Sequence, residues 1–481
     1  MPPISLSALG DAAFCTEHGV GLPLYAGSMA HGIASEALVE SMARAGMLGF
    51  YGAAGESPEH IGDTLLRLQQ RLGGLPFGFN LINSPNDPQW EMAVARLYLR
   101  AGLRCVEASA YIALTPALVL YRVKGIHRLP DGSVHAPNRV IAKVSRTEIA
   151  ERFFSPPPEK ILRRLVEMGE LTPEEAELAG QIPMARDVTG EADSGGHTDH
   201  RAAIAMLPSL MALRDAMQER YGRAEPLRVG LAGGIATPHA AAAAFAMGAA
   251  YVATGSINQA CVESGSSETV RTLLAAAAQT DVGRAPAADM FEMGVTVQVL
   301  KKGTRFVERA NLLYELYRKH GSLEELPADV RDKLEKDVFR KPLDEVWTQT
   351  AAFFAVREPR QLEKAAANPR HKMALVFRWY LGQSSKWANQ GAGDRVEDYQ
   401  IWCGPAMGAF NDWVRGSFME EAGGRSAPVA AKNILFHAAV LQRAALLRMQ
   451  GVPVFLTRAG LAPLDMETIN RYVDNTKESG Q

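Results

Sequence analysis

Two glycine-rich turns in the 481-residue chain could bind a phosphate group. The first follows the apolar run 228–232 and reads Gly233-Gly234-Ile235, and the second follows 250–253 and reads Thr254-Gly255-Ser256. Turns of this composition expose backbone N–H groups with no side chain in front of them. In a (β/α)8 barrel the loops after the seventh and eighth strands commonly hold a phosphate. Ordinary βα turns without a ligand have the same composition, so both interpretations stay open.

A histidine on a third turn could act on a substrate. The segment 191–199 is rich in small residues, and His197 comes directly after them; the small members are Ala192, Ser194, Gly195 and Gly196. Small residues let a flat ligand approach the backbone, and a histidine at this place could donate a proton or a hydrogen bond. A capping turn with a solvent-exposed histidine is the alternative interpretation.

Three further predicted strands end in side chains that suit an aromatic ligand. Met29 follows Ala26 and Gly27 after the first strand, Asn80 ends the third, and Lys143 lies near the end of the fifth. A thioether packs against aromatic rings, while an amide and an ammonium group could satisfy ring carbonyls and stabilise negative charge on a reduced flavin. A core methionine, a turn asparagine and a surface lysine are the ordinary alternatives. Together with His197 and the glycine turns, the set suits flavin mononucleotide (FMN) better than a nicotinamide alone.

Eight short apolar runs are predicted to be the strands that position these side chains. They are 22–26, 47–51, 76–80, 105–108, 139–144, 188–192, 228–232 and 250–253. Strands that alternate with amphipathic helices predict parallel βαβ units, and eight of them predict an α/β fold built on a (β/α)8 TIM barrel. A doubly wound open sheet is the alternative, but no Gly-x-Gly-x-x-Gly follows the first strand.

The pattern divides the chain into an N-terminal extension (1–20), the barrel (21–265) and a mostly helical C-terminal domain (266–481). A helical insertion is predicted at about 145–187, and we expect it to cover the open face of the barrel as a lid. Within the barrel, Leu129-Pro130-Asp131-Gly132-Ser133 predicts the turn of a hairpin. After residue 260, helical patterns dominate and few strand candidates remain.

Composition is that of an ordinary globular protein. Hydrophobic residues make up 47% of the chain and charged residues 22%, and the formal net charge is −2. This charge gives no electrostatic reason to expect nucleic acid or an anionic membrane as a partner. The four cysteines are far apart, without the paired spacing of a metal site or redox couple. We therefore expect a cytoplasmic protein without a membrane-spanning segment or bound metal.

The glycine turns and the histidine segment resemble a known superfamily. The runs Glu191–His197, Gly233-Gly234-Ile235 and Thr254-Gly255-Ser256 are similar to those of the nitronate monooxygenase (2-nitropropane dioxygenase) superfamily of FMN-dependent barrels. The C-terminal runs 368–375 and 398–408 resemble one branch more specifically, the PfaD-type trans-acting enoyl reductases of polyketide and polyunsaturated fatty acid synthases. Simple nitronate monooxygenases lack this C-terminal domain.

The resemblance implies a cofactor site and a reaction. It implies that His197 is the catalytic histidine and that FMN is bound by Ala26, Gly27, Met29, Asn80, Lys143, Ala192, Ser194, Gly195, Gly196, Gly233, Gly234, Thr254, Gly255 and Ser256. NADPH would reduce the flavin, and hydride would then pass to the β-carbon of an enoyl thioester carried by an acyl carrier protein. A homodimer is compatible with the resemblance. A nitronate monooxygenase-like flavin oxidase and a non-catalytic synthase component are the alternative functions.

The chain departs from the family pattern after the histidine. The family usually reads Thr-Asp-Asn-Arg-Pro there, whereas this chain has Thr198-Asp199-His200-Arg201-Ala202. His200 leaves the FMN assignment intact and puts the fine substrate preference in doubt.

Overall fold

The computed structural model describes residues 4–85, 87–196, 199–223 and 225–478, with side chains as far as residue 472. Twelve strands occur in this part of the chain: β1 (Leu24–Ala26), β2 (Leu48–Tyr51), β3 (Gly78–Ile82), β4 (Cys105–Ser109), β5 (His127–Arg128), β6 (Val134–His135), β7 (Arg139–Val144), β8 (Asp187–Glu191), β9 (Arg228–Ala232), β10 (Val252–Thr254), β11 (Val282–Pro286) and β12 (Thr296–Leu300).

Twenty α-helices occur in the same residues. They are α1 (Ala12–His18), α2 (Glu36–Arg44), α3 (Pro58–Leu72), α4 (Pro88–Arg100), α5 (Pro116–Val123), α6 (Thr147–Phe154), α7 (Glu159–Glu167), α8 (Pro173–Ala179), α9 (Ala203–Tyr221), α10 (Pro238–Ala246), α11 (Ser256–Gln259), α12 (Glu268–Ala275), α13 (Phe306–Lys319), α14 (Ala328–Lys333), α15 (Leu343–Arg357), α16 (Pro359–Ala367), α17 (Pro369–Gln390), α18 (Pro405–Val414), α19 (Ala427–Met449) and α20 (Met466–Glu478). A π-helical turn (Leu334–Phe339) follows α14, and short 3₁₀ helices lie at Leu6–Ala8, Phe291–Met293, Gly393–Asp398, Ala422–Gly424 and Ala459–Leu461.

Eight strands form a closed parallel barrel in the order β1-β2-β3-β4-β7-β8-β9-β10, with β10 paired to β1. The eight predicted runs match these strands, so the TIM-barrel prediction is confirmed and the open-sheet alternative is wrong. Strands β5 and β6 pair antiparallel on either side of the predicted 129–133 turn. In a barrel of this kind the C-terminal ends of the strands carry the site.

Several barrel helices begin with the same local signal. A serine, threonine or aspartate accepts a hydrogen bond from a backbone N–H in the first turn, and a proline follows it directly; the pairs are Ser57-Pro58, Asp87-Pro88, Thr115-Pro116, Thr172-Pro173 and Thr237-Pro238. The oxygen satisfies an N–H that has no partner within the helix, and proline lacks one. These caps fix the residue at which each of the five helices begins.

The N-terminal end of the barrel holds a buried ion cluster. Arg228 donates to both carboxylate oxygens of Asp187 (2.5 and 2.9 Å), and His18 Nε2 lies 2.9 Å from Asp187 Oδ2. Glu17 also accepts from Arg228. Burial alone would raise the pKa of Asp187, but the hydrogen bonds and charge of Arg228 and His18 outweigh it and hold that pKa well below its usual range. The cluster fixes α1 against the barrel end opposite the candidate site.

The helical insertion packs on the outside of the barrel. Helices α7 and α8 contact α5, and Glu175 on α8 accepts from Gly125 N (2.7 Å) in the connection between α5 and β7. Arg122 of α5 donates to Pro183 O (3.0 Å) after α8. This connection lies at the N-terminal end of the strands, so the lid prediction is wrong. Helix α7 contacts α5, and Leu162 and Leu165 on its apolar face are buried.

The described residues form two compact units. One contains the barrel and groups 4–193 and 199–265 with 412–478. Residues 412–478 are predicted to belong to the helical domain, but α19 packs along α10 of the barrel unit. At the start of α19, Glu263 accepts from Ser426 Oγ (2.6 Å) and Ala427 N (3.0 Å). Alanine-rich faces on α10 and α19 allow this close packing.

The second unit groups residues 266–411 with 194–196. Its core is aromatic, with Phe291, Phe306, Phe377 and Tyr380 fully buried, and the β11–β12 hairpin lies on it. Arg309 pairs with the buried carboxylate of Asp398, which also accepts from Tyr380, at 2.9 Å, and Arg395, at 3.2 Å. Across both units, no helix among the described residues has the length and apolar character needed to cross a membrane.

Candidate functional site

Polar side chains from four neighbouring strands meet at the C-terminal end of the barrel. Lys143 of β7 places Nζ 3.3 Å from Glu191 Oε1 on β8 and 3.9 Å from Glu107 Oε2 on β4. Asn80 of β3 is paired in register with Glu107, and its amide donates to Ser109 Oγ at 2.9 Å. The structure therefore brings the predicted residues Asn80 and Lys143 into one cluster with two carboxylates.

The two carboxylates keep the buried ammonium group of Lys143 protonated. Burial lowers the pKa of its ammonium group, but Glu107 and Glu191 outweigh that effect, so the pKa is raised. Lys143 is therefore a cation at any physiological pH. Burial is also the largest effect on Glu107, where it raises the pKa of the carboxyl although Lys143 and Ser28 act in the opposite direction.

Glu107 is the polar residue of this cluster that sequence reasoning missed. Its side chain is fully buried; Oε2 accepts from the backbone N–H of Ser28 at 3.0 Å and from its hydroxyl, whereas Oε1 has no hydrogen-bond partner among the described residues. A carboxylate in the otherwise apolar or small run Cys105–Ser109 was the available signal, because charged residues are rarely buried without a partner. An unsatisfied buried oxygen in a strand-end cluster fits a ligand-binding or proton-holding role.

In the first glycine turn, neighbouring backbone atoms leave no room for a side chain at one glycine, and the other glycine faces open space. Gly233 and Gly234 both have positive φ angles, +81° and +78°. A Cβ atom on Gly233 would overlap Ala192 O, whereas one on Gly234 would meet no atom within 4 Å. Ala192 N donates to Ala232 O (2.9 Å), which places this turn beside the end of β8. Gly234 is therefore the member of the pair that leaves room for a ligand.

The second glycine turn lies beside the first strand. Ala26 pairs in register with Thr254, and Gly27 N donates to Thr254 O at 2.9 Å. The Thr254 hydroxyl accepts from Asn258 (3.0 Å) and is buried, so it supports the turn. Gly255 again has open space where a Cβ would stand, and Ser256 is half-buried next to it. Met29 is half-buried after β1, so it is not part of the barrel core.

The histidine segment is anchored at both sides. Asp193 N donates to Arg201 O (3.0 Å), and His200 Nδ1 lies 2.7 Å from Asp193 Oδ1. Asp199 accepts from Arg146 (2.6 and 3.1 Å) and from Ser145 Oγ (2.7 Å). The hydrogen bond from Arg146 is the main reason that the pKa of Asp199 is lowered to about 2. His200, the departure from the family pattern, therefore ties two ends of the segment together.

Three predicted site residues of this segment, Ser194, Gly195 and Gly196, group with the second unit. Gly196 pairs with Gln298 on β12. His197, the predicted catalytic residue, lies outside the described residues. Within those residues, no three histidine, cysteine, aspartate or glutamate side chains are grouped so that they could hold a metal ion.

The residues at the barrel mouth fit a phosphate-bearing ring system. Gly234 and Gly255 have no Cβ, and no other atom lies within 4 Å of the place where one would stand. A phosphate oxygen can therefore reach this space and accept hydrogen bonds from backbone N–H groups. Asn80 and the charged Lys143 supply donors for the carbonyl groups of a ring. The set can hold an anionic group at one side of the mouth and stabilise negative charge at the other.

A family model matches part of the second unit. Residues 320–399 match the inserted helical domain of [acyl-carrier-protein] S-malonyltransferase. This range contains α14 to α17. The match covers a minor part of the chain and describes this helical region alone.

Curated relatives and a solved structure match most of the chain. One relative, a polyunsaturated fatty acid synthase polypeptide of Thraustochytrium, is 47% identical over 87% of this chain and 28% of the relative. The polyketide biosynthesis protein PksE of Bacillus subtilis is 45% identical over 91% of this chain and 57% of the relative. The chain thus spans only a part of each curated relative. The crystal structure of the enoyl reductase domain of MlnA, from the macrolactin biosynthesis cluster of Bacillus amyloliquefaciens, is 38% identical, with a TM-score of 0.88 over 92% of this chain and 99% of that one.

Proposed function

Because the chain belongs to the PfaD-type enoyl reductase family of polyketide and polyunsaturated fatty acid synthases, we propose that it is an FMN-dependent enoyl reductase that uses NADPH. Its substrate is an α,β-unsaturated thioester carried by an acyl carrier protein, on which it acts in trans. The likeness to the MlnA enoyl reductase domain over nearly its whole length carries the proposal. The strand-end cluster and the two open glycine turns support the choice of flavin.

Each part of the barrel mouth has a role in this proposal. The backbone N–H groups at Gly233, Gly234, Gly255 and Ser256 bind the phosphate of FMN. Ala26, Gly27, Met29 and Ala192 line the ring system, because small or flexible side chains leave room for it. Asn80 and Lys143 donate to its carbonyl groups, and the fixed charge of Lys143 stabilises negative charge in the ring. FMN, when bound, supplies hydride transfer.

The protein's own residues then handle position and protons. Glu107 and Glu191 hold the ammonium group of Lys143 in place, as their distances of 3.9 and 3.3 Å allow. His197 is the residue that we propose as proton donor to the α-carbon or as the group that positions the thioester. Ser194, Gly195 and Gly196 provide the backbone that leads to it.

The names of the relatives favour an acyl carrier protein as the partner. Their names place them in polyketide and polyunsaturated fatty acid biosynthesis, where acyl groups travel on carrier proteins. The helical region of 320–399 resembles a domain of an enzyme that acts on an acyl carrier protein, so we place the docking surface for the carrier in this region. We further propose that the enzyme works in the cytoplasm, with a homodimer as the assembly to be tested.

The visible spectrum of the purified protein tests the proposal directly. We expect a yellow protein with one FMN per chain, which NADPH bleaches and a crotonyl-type thioester restores. Attachment of the acyl group to a carrier protein should lower its KM. A protein that oxidises alkyl nitronates without NADPH would instead be a flavin oxidase. One that stays colourless after FMN is added would be a non-catalytic synthase component.

A further inference from the structure

The backbone that precedes His197 is held against one edge of β12 by hydrogen bonds. Gly196 N donates to Gln298 O at 3.0 Å, and Gln298 N donates to Gly196 O at 3.2 Å. The same edge carries the run 401–403, where Leu300 N donates to Ile401 O (2.8 Å) and Cys403 N approaches Gln298 O at 3.5 Å. One carbonyl oxygen, that of Gln298, is thus shared between the two segments.

Two glycines allow these segments to touch backbone to backbone. A Cβ atom on Gly195 would stand 2.8 Å from Cys403 N and 3.0 Å from its carbonyl carbon. A Cβ atom on Gly404 would stand 2.8 Å from Gly195 N and 3.0 Å from the carbonyl carbon of Ser194. The obstructing atoms are backbone atoms on both sides, so no side-chain rotation can relieve the overlap. This contact accounts for Gly195, which the sequence suggested as a ligand-facing residue.

The run 398–404 is itself fixed to the core of the second unit. Ile401 and Cys403 are fully buried, and Trp402 packs against the aromatic core. Asp398 accepts from Arg395 and Tyr380, and Tyr399 OH donates to Ala392 O at 3.0 Å. A segment with this many partners has little freedom to move, so it can act as a fixed surface for residues 194–196.

We propose that Gly195, Gly404 and the edge of β12 at Gln298 are positioning residues for the reductase reaction, since they fix the backbone up to Gly196, the residue directly before His197. This role rests on the proposed function of His197. It gives a role to 398–404, part of the run 398–408 that resembles this branch of the family, although this run contributes no group to the chemistry described above. The run holds residues 194–196, the backbone that leads to His197, in place.

Alanine at either glycine tests the proposal. Gly404→Ala and Gly195→Ala each force their opposed backbones apart by about 0.6 Å to reach an ordinary contact of 3.4 Å. Because an error of about 1 Å in a catalytic group costs about 100-fold in rate, we expect kcat to fall roughly 10- to 100-fold. In Gly404→Ala, FMN content and KM for the thioester should stay near native, because Gly404 is not among the residues that the resemblance assigns to FMN. Gly382→Ala is the matched control, because its Cβ meets nothing within 4 Å, and it should keep full activity.

A double-mutant cycle with His197→Ala separates positioning from general damage. If Gly404→Ala acts through His197, the double variant should be no slower than His197→Ala alone. Multiplied losses, or native kcat in both glycine variants, would overturn the positioning role. If Gly404→Ala does not fold, Gly195→Ala approaches the same contact from the other side and decides the question.

Hydrogen exchange provides a readout that does not depend on turnover. The Gly196 amide should be protected in the native protein, and Gly404→Ala should raise its exchange rate while amides of the barrel strands keep theirs. An unprotected Gly196 amide in the native protein would refute the contact. A native protein that binds FMN but reduces no enoyl thioester would refute the proposed function, and the positioning role with it. An active protein with multiplied losses would refute the positioning role alone.

Discussion

Replacement of Lys143 by methionine removes the cation between two carboxylates at the barrel mouth. Opposite charges about 4 Å apart interact by about 4 kcal/mol at an effective dielectric constant of about 20, and removal of one partner of a buried pair costs about 3–5 kcal/mol. Glu107 is fully buried, but the side chain of Glu191 is 27% exposed and can be hydrated. We therefore expect a loss near the lower bound, about 3 kcal/mol of unfolding free energy.

The loss of unfolding free energy should depend on pH, because a protonated Glu107 is neutral and no longer needs a cation beside it. Burial already raises the pKa of Glu107, and without Lys143 that pKa rises further. A carboxyl whose pKa is higher in the folded state makes the protein less stable as the pH rises from the unfolded-state pKa to the folded-state pKa. The Lys143→Met variant should thus be near native in stability at about pH 5 and weakest at about pH 8.

The matched control is the double variant Lys143→Met/Glu107→Gln, which leaves no buried charge without a partner and should recover most of the stability at about pH 8. The assay is thermal melting at both pH values, with and without FMN. A loss of about 3 kcal/mol lowers the melting temperature by about 4 °C in a unit of about 320 residues, because the unfolding entropy is about 2.1 cal/mol/K per residue. Equal melting temperatures for Lys143→Met and the native protein at about pH 8, or a double variant less stable than the single one, would refute the reasoning.

Three further changes test other parts of the molecule. His197→Ala should keep stoichiometric FMN in the visible spectrum but lose about 100- to 10,000-fold in turnover of an enoyl thioester; native turnover would remove the histidine from the mechanism. Gly234→Asp should lose FMN, since it sets a carboxylate against phosphate, whereas Gly234→Asn, which has the same size and tolerates a positive φ, should retain more flavin; equal retention in the two variants would argue against the phosphate site. Asp187→Asn should cost about 3–5 kcal/mol because Arg228 loses its main buried partner, as melting at neutral pH would reveal. Since the folded-state pKa of Asp187 is lowered, its stabilisation is present above the unfolded-state value of about 3.9 and is lost as the pH falls toward the folded-state value, so the Asn variant should lack this acid-side decline.

The barrel was predictable because its signal is local. Each strand is a short apolar run that ends in small or polar residues, and the capped prolines mark where the next helix begins. Side chains alternate across a strand, so Asn80 and Lys143 near strand ends were reasonable candidates for the mouth. The sequence marks Glu107 as unusual, because it is a carboxylate in an otherwise apolar or small run, but its partners Ser28 and Lys143 lie on other parts of the chain and become known only in the fold.

The roles of the glycines were predicted less well than their positions. Gly233 and Gly234 are adjacent in sequence, yet one abuts Ala192 O and the other faces open space. A Cβ on Gly195 would overlap the backbone of Cys403, which lies more than 200 residues away in the chain. A glycine-rich run indicates a close approach of the backbone or a positive φ angle, but it does not identify the atom that comes close.

The sequence by itself determined the eight-stranded barrel, the two glycine turns and the strand ends that carry Asn80 and Lys143, because periodicity and capping act over a few residues. Only the tertiary structure decided that Glu107 and Glu191 flank Lys143 and that 412–478 pack with the barrel unit. It also decided that 398–404 hold the backbone before His197. These contacts join residues far apart in the chain, and their energies depend on distances and burial that no local pattern encodes.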